Sequence, residues 1–265
     1  MKTFVVGDVH GRCAQLQNLL EMLPHDESVD MLVFLGDLID RGPDAPGCVT
    51  FVFGLTQDNP EHVVCLRGNH EQMLLDFIEG RSTIWITPVT GGERTFEQYT
   101  GQPLIANSEQ QIDGLRSMIA EKIPFQHLEF MRQTPFFYED DYAIYVHAGL
   151  EKGKHPRDAS PQSLLWMRDM EFYKNYTGKL CLFGHTPTPF LPLRGRLGRH
   201  GIYISKSAIG LDTGYNHISP LSCLSLPDFT LFQAFADGRK ETHQITSFMP
   251  AEIKAMQKKA GWAEG

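Results

Sequence analysis

Cysteine pairs at metal-binding spacing are missing from this chain of 265 residues. Its five cysteines, Cys13, Cys48, Cys65, Cys181 and Cys223, stand singly, are odd in number and never form a CxxC. That pattern argues against a disulfide framework and a thiolate zinc site, and it fits a reducing cytoplasm. Long apolar runs are missing too, and none approaches the roughly 20 residues needed to span a bilayer. At the start, Lys2 precedes only the short stretch from Phe4 to Val6 before Gly7 and Asp8 interrupt it, which does not read as an export signal. Positive charge is not in excess. With a formal net charge of −8, no broad basic field exists to neutralise a nucleic-acid backbone. A small phosphate pocket stays compatible with that balance, because a few local charges suffice. No repeat, low-complexity tract or linker divides the chain. What it does have is 42% hydrophobic residues, enough for a substantial core.

A rhythm runs through the first third. Thr3–Val6 is a β-rich run ending in Gly7-Asp8, and Cys13–Leu23 then carries apolar residues at helical spacing. Met31–Leu35 ends in Gly36-Asp37 and precedes a helix through Thr50–Leu55. His62–Leu66 ends in Gly68-Asn69-His70 and precedes the helical stretch Glu71–Ile78. Strands alternating with helices predict βαβ units, a largely parallel sheet, and ligand sites beyond the carboxyl ends of the strands. Residues 81–133 are less regular, with a helix expected at Glu109–Lys122, and read as a helical insertion over the sheet. Strand-like runs resume at Tyr142–Val146 before His147, at Leu180–Phe183 before Gly184-His185, and at Ile209–Leu211 before Asp212. Thr230–Ala236 reads as a strand and Ala251–Lys259 as an amphipathic helix. The expected organisation is one α/β (α+β) catalytic domain over residues 1–248 and a helical tail over 249–265. Oligomeric state leaves no mark in the sequence.

The residues after these runs suit metal chemistry. Asp8-x-His10 places a carboxylate and an imidazole two residues apart, where both can face one ion, and Gly7 and Gly11 permit the tight backbone this requires. Asp37 can bridge two cations through its two oxygens, while Asn69, His147 and His185 add neutral ligands. A mixed carboxylate, imidazole and amide set suits Mn²⁺ first, with iron, Zn²⁺ or Ni²⁺ as alternatives. Two such ions lower the pKa of a water between them and hold a phosphoryl oxygen for in-line attack. Taken alone, an Asp after a strand is as readily a turn residue or a helix cap. It is the joint occurrence after strand-like runs that points to a site. The isolated histidines at 25, 62, 127, 155, 200, 217 and 243 receive no role.

Asp8-Val9-His10-Gly11, the run Gly36-Asp37-Leu38-Ile39-Asp40-Arg41-Gly42, and Leu66-Arg67-Gly68-Asn69-His70-Glu71 resemble the three signature blocks of the phosphoprotein phosphatase family of metallophosphoesterases. His147-Ala148-Gly149 and Gly184-His185-Thr186-Pro187 look like its two later metal-histidine blocks, and Trp166-Met167-Arg168 resembles the segment presenting a second phosphate-binding arginine. These blocks cover about two-thirds of the chain. The resemblance implies the calcineurin-like metallophosphoesterase fold, a central β-sandwich flanked by helices. It implies a first metal on Asp8, His10 and Asp37, and a second on Asp37, Asn69, His147 and His185. His70, oriented by Asp40, would be the general acid, and Arg41 and Arg168 would clamp the phosphoryl oxygens. The nucleophile would be a metal-bridging hydroxide, with no covalent phosphoenzyme.

Leu191–Ser207, with Arg194, Arg196 and Arg199, departs from the eukaryotic enzymes, and Asp212-Thr213-Gly214-Tyr215 resembles the compact bacterial and phage branch. The three arginines read as a solvated loop or as the lining of a substrate groove. Asp212 reads as a turn residue or as the partner that orients a metal histidine. The leading expectation is a serine/threonine protein phosphatase that also takes phosphotyrosine or small phosphoesters, with neither nucleic acid nor membrane as partner. A symmetrical bis(5'-nucleosyl)-tetraphosphatase is the runner-up, although such relatives usually carry Ala where Asp40 stands and Asp where Glu71 stands. A catalytically inactive binding scaffold is the third reading; it conflicts with the presence of every expected ligand and of the acid.

Overall fold

The computed structural model describes residues 1–192, 196–197, 201–214 and 218–262. Its strands in chain order are β1 (Thr3–Val6), β2 (Met31–Phe34), β3 (Val63–Cys65), β4 (Phe137–Glu139), β5 (Ile144–Val146), β6 (Cys181–Phe183), β7 (Arg196–Leu197), β8 (Ile202–Ser205), β9 (Ala208–Gly210), β10 (Leu221–Leu226), β11 (Thr230–Ala234) and β12 (Lys240–Gln244). Its helices are α1 (Cys13–Leu20), α2 (Ala45–Asp58), α3 (Asn69–Ile78), α4 (Gly92–Thr100), α5 (Glu109–Lys122), α6 (Phe125–Gln133), α7 (Pro161–Trp166), α8 (Met170–Asn175) and α9 (Ala251–Ala260). Local chemistry starts several of them. Asp44 caps α2 by accepting the Gly47 N–H, and Ser108 caps α5 by accepting that of Gln111.

The strands form two six-stranded sheets, ordered β12-β11-β10-β1-β2-β3 and β4-β5-β6-β9-β8-β7. Parallel pairing is confined to β1-β2-β3 and β5-β6-β9. The other pairs are antiparallel, so the sheets are mixed rather than largely parallel. The cause is local. Strands joined by βα crossovers run parallel, whereas those joined by short turns, such as β8 to β9 and β10 to β11, reverse direction.

Alternation along the strands builds the layers. In β1, Val5 packs with Val33, Leu182, Ile209 and Leu224 between the sheets, while Phe4 and Val6 face α1 and α2. The outer face of the second sheet, through Val146, Phe183 and Tyr203, is covered by Leu164 of α7 and by Phe172 and Tyr173 of α8. The result is a four-layer sandwich with helices outside both sheets. Residues 81–133 form α4, α5 and α6, which pack on α2 and α3. Helix α9 buries Ile253 in the inter-sheet core beside Ile245 and Met249. Among the described residues, no helix is long and apolar enough to cross a membrane.

Candidate active site

Each of the six parallel strands delivers polar residues just beyond its carboxyl end. Asp8 and His10 follow β1, Asp37 follows β2, and Asn69 and His70 open α3 after β3. From the second sheet come His147 after β5, His185 after β6 and Asp212 after β9. The site therefore straddles the seam of the sandwich. Its backbone is unusual there. His10, Asp37, Asp40, Arg41 and His185 all have positive φ, and among described non-glycine residues only Lys206 and Phe229 share that property. Each such residue costs on the order of 1–2 kcal/mol, so the strain concentrates where side chains are aimed. Two glycines make room: a Cβ on Gly68 would lie 2.1 Å from Asp37 Oδ1, and one on Gly184 would lie 1.9 Å from Asp8 Oδ1.

Asp37 is the hub. Its Oδ2 lies 3.6 Å from His10 Nε2 and 3.9 Å from His70 Nε2, and its Oδ1 lies 3.4 Å from His147 Nε2. His10, Asp37 and His70 bring ligand atoms within 4.8 Å of one another, as do Asp37, His147 and His185. Asp37 thus belongs to both groups. Burial opposes its ionisation, but His147, His70 and His10 outweigh that and hold its carboxyl far below the usual range. Burial, reinforced by Arg41 at His10 and by His147 at His185, pushes those two imidazoles well down, and burial lowers His147 as well. Neutral imidazoles are the form that ligates metal.

The tautomers sharpen this picture. His10 Nδ1–H donates to the Ile39 carbonyl (2.9 Å) and His147 Nδ1–H to that of Leu35 (2.8 Å), which leaves lone pairs on both Nε2 atoms. The His147 lone pair then faces Asn69 Oδ1 at 2.8 Å, and the same oxygen lies 2.7 Å from His185 Nδ1. Buried lone pairs converging on one another call for a cation. His185 Nε2 and Asp8 Oδ1 are also buried without a hydrogen-bond partner. Asp8 stands outside the two close groups, with its Oδ2 accepting the His185 N–H at 2.9 Å. Burial and the charges of Asp212 and Asp37 push its carboxyl well up, the repulsion a divalent ion would relieve. These donors fit hard or borderline divalent cations.

His70 and Asp40 form a buried pair. Nδ1–H of His70 donates to Asp40 Oδ2 at 2.6 Å. Burial opposes protonation of His70, but the Asp37 charge and the Asp40 hydrogen bond exceed it and raise its pKa. Asp40 is held in turn by Thr95 Oγ1 (2.7 Å) and by Trp85 Nε1 (3.1 and 3.2 Å). Both come from the insertion, which also supplies the Gly91 carbonyl that accepts the Arg41 N–H. Arg41 donates to Nε2 of His10 (2.8 Å) and of His70 (3.0 Å). Arg168 is exposed at the rim, with Nη1 3.3 Å from Thr186 Oγ1 and its charge felt by His147 and His185.

Sequence reasoning missed several supports. Glu71 accepts the backbone N–H groups of Asp37 (3.0 Å), Leu38 (2.7 Å), Ile39 (3.3 Å) and Gly68 (3.0 Å), pinning the loop that carries Asp37. Burial and the neighbouring Asp37 charge lift it to about 7, against the pull of those N–H groups. Its position three residues after Gly68 at the head of α3 was the available signal. Trp85 and Thr95 carried none. Asp212 is buried, lifted to about 6 by that burial, and its two oxygens have no hydrogen-bond partner among the described residues. Arg194, Arg199, His200, Tyr215 and His217 lie outside the described residues, and of Arg196 only its backbone in β7 is described.

Known proteins place this arrangement. The family profile described as calcineurin-like phosphoesterase matches residues 1–196. Over 91 residues the chain is 41% identical to serine/threonine-protein phosphatase 1 of Salmonella typhimurium, a stretch covering 34% of this chain and only 38% of that relative. It is 33% identical over 195 residues to serine/threonine-protein phosphatase 2 of Escherichia coli, covering 69% of this chain and 78% of the relative. The asymmetrical bis(5'-nucleosyl)-tetraphosphatase PrpE of Bacillus cereus is 26% identical over 239 residues, covering 79% and 87%. A solved structure of a provisionally named diadenosine tetraphosphatase aligns with a TM-score of 0.60 at 20% identity, over 91% of this chain and 92% of that one, a likeness of fold.

Proposed function

Because the chain belongs to the calcineurin-like phosphoesterase family, we propose that it is a metal-dependent phosphoprotein phosphatase acting on phosphoserine and phosphothreonine, with phosphotyrosine as a further substrate. The observation that carries this reading is the buried His70–Asp40 pair, joined at 2.6 Å and braced by Thr95 and Trp85. A serine or threonine alkoxide is a poor leaving group and needs a proton as it departs, which a positioned imidazolium supplies. A nucleoside phosphate leaves without that help, so a carboxylate-backed acid is matched to an alkyl monoester.

The remaining roles follow from position. Asp8, His10 and Asp37 would hold one divalent ion, and Asp37, Asn69, His147 and His185 a second. When bound, the ions supply an activated water and neutralise charge at the phosphoryl group. Arg41 now covers Nε2 of both His10 and His70. In turnover its guanidinium would turn to phosphoryl oxygens, joined by Arg168, and leave His70 Nε2 free to carry the proton. Mn²⁺ as native metal and the cytoplasm as compartment complete the proposal, the latter supported by five unpaired, buried cysteines.

A second reading, dinucleoside tetraphosphate hydrolysis, is favoured by the extent of the PrpE match, 79% of this chain and 87% of that relative. Phosphate release from phosphoserine, phosphothreonine and phosphotyrosine peptides, measured beside diadenosine tetraphosphate cleavage with Mn²⁺ added, separates the two. The protein-phosphatase reading expects the peptides to be cleaved. Efficient nucleotide cleavage with the peptides untouched would refute it.

A further inference from the structure

Five of the six parallel strands end in residues already assigned to the two ions or to the acid. The sixth, β9, ends in Asp212, whose carboxylate has no assigned work. It is 1% exposed, and neither oxygen has a hydrogen-bond partner among the described residues. A buried carboxylate without partners is costly unless a charge offsets it. Its backbone is fixed rather than loose: the Asp212 carbonyl accepts the Thr188 N–H at 2.9 Å, tying β9 to the segment after His185. The turn role expected from the sequence leaves both side-chain oxygens unexplained.

Backbone packing sets Asp212 beside Asp8: a Cβ on Gly7 would lie 2.2 Å from the Leu211 carbonyl oxygen, so the residue before each aspartate packs against the other chain segment. Asp8 and Asp37 repel it, while Arg12, Arg41 and Arg168 attract it. Asp212 is therefore within electrostatic reach of the charged groups of the site. Of the cations, Arg12 is the one fixed to backbone nearby: its Nε and Nη2 donate to the carbonyls of Val9 (2.8 Å) and Asp8 (2.7 Å), and it lies against Gly214. Yet Arg12 Nη1 is itself buried without a partner, so Arg12 and Asp212 attract across a gap and do not hydrogen-bond. Asp8 Oδ1 is the third orphan of the set. The ligand count leaves a place to fill, because Asp37, Asn69, His147 and His185 would give one ion four ligands, whereas Asp8, His10 and Asp37 would give the other only three.

We propose that Asp212 is a further acidic residue of the metal centre, acting with Asp8 to bind a hard divalent cation such as Mn²⁺ on the His10 side. This rests on the two-metal reading above. An extra carboxylate there makes that position oxygen-rich, which favours Mn²⁺ or Mg²⁺ over softer ions.

Mn²⁺ titration of the metal-free full chain, by calorimetry and by electron paramagnetic resonance of free Mn²⁺, tests this together with thermal unfolding. Wild type should bind two ions. Asp212→Asn should weaken one of them about 10–100-fold, the range for carboxylates that support a metal site. Metal-free Asp212→Asn should also melt higher than metal-free wild type, because the cost of burying a carboxylate with no hydrogen-bond partner has been removed. Asp212→Glu, which keeps the charge, should bind Mn²⁺ more tightly than the Asn variant. Two Mn²⁺ affinities unchanged in Asp212→Asn would overturn the inference. So would a metal-free Asn variant that melts lower or fails to fold, the result expected of a structural partner for Arg12. A wild-type chain that binds no Mn²⁺ would instead refute the two-metal reading itself.

Discussion

Thr95 lies 55 residues from Asp40, yet its hydroxyl accepts the Asp40 N–H at 2.9 Å and donates to Asp40 Oδ1 at 2.7 Å. Thr95→Val keeps the shape and removes both bonds, at a position where Thr95 and Asp40 are each fully buried. An orphaned buried N–H costs about 1–3 kcal/mol and a lost bond to a carboxylate about 1.5–3 kcal/mol. Trp85 continues to donate to Asp40, which places the sum near the lower end, at about 3 kcal/mol. For a chain of this size that corresponds to a fall in Tm of roughly 6–12 °C. The catalytic effect has its own signature. With Asp40 less firmly held, His70 is less well aimed, so kcat on a phosphoserine peptide should fall about tenfold or more, a fraction of what a general acid contributes. On p-nitrophenyl phosphate, whose leaving group departs without a proton, kcat should change by less than about threefold. Calorimetry and steady-state kinetics on Mn²⁺-loaded protein give both readouts. An unchanged Tm, or equal losses on the two substrates, would refute the clamp.

Replacing His70 by Asn should lower kcat on phosphopeptides by about 10²–10⁴ and on p-nitrophenyl phosphate far less, as a leaving-group series would reveal; equal losses would remove the acid role. Glu71→Gln turns one acceptor into a donor facing two backbone N–H groups, and chemical denaturation should report a loss of about 2–6 kcal/mol. Chelation should lower Tm, and Mn²⁺ at 100 times its Kd should restore about 2.7 kcal/mol, measured by thermal unfolding before and after readdition. Burial alone would raise the Asp228 carboxyl, but Ser225 and Lys2 (2.9 Å) outweigh it and depress its pKa in the folded state. That stabilisation is complete above the unfolded value of about 3.9 and is lost as pH falls through the depressed one. Lys2→Met should therefore cost under about 1 kcal/mol at pH 7, the pair being partly exposed, with the difference from wild type vanishing at low pH in parallel denaturation curves.

Much of the site was legible because its residues follow short apolar runs, and such runs in this chain are strands. Thr3–Val6 and Glu109–Lys122 coincide with β1 and α5, and the runs before Asp37, His147 and His185 contain β2, β5 and β6. Strand existence is a local property that periodicity reports. Pairing direction is not, which is why β1 could be found without its antiparallel neighbour β10. Leu221–Leu226 reads Leu-Ser-Cys-Leu-Ser-Leu and lacks the period-two alternation that would have signalled that strand, because both of its faces are buried, with Ser222 bonded to Thr213 and Gln233. Trp85 and Thr95 were illegible for a different reason. Their contacts to Asp40 span 45 and 55 residues and depend on how the turn carrying Trp85 docks on α3 and how α4 docks on α2, which no local pattern encodes.

The placing of β1 between β2 and β10 has a consequence for how the chain comes off the ribosome. Thr3 pairs with Leu226, and Gly7 N–H, next to Asp8, donates to the Ser222 carbonyl at 3.0 Å. At typical elongation rates the partner strand emerges on the order of 10–40 s after β1. Every residue assigned above to the ions, the acid and the phosphoryl clamp, Asp212 excepted, has been synthesised by His185, yet one flank of the strand that carries the first of them is still open. The nascent protein therefore holds most of its ligands before it has the framework that aims them. Hydrolytic competence should arrive abruptly, once β10 has emerged and paired with β1.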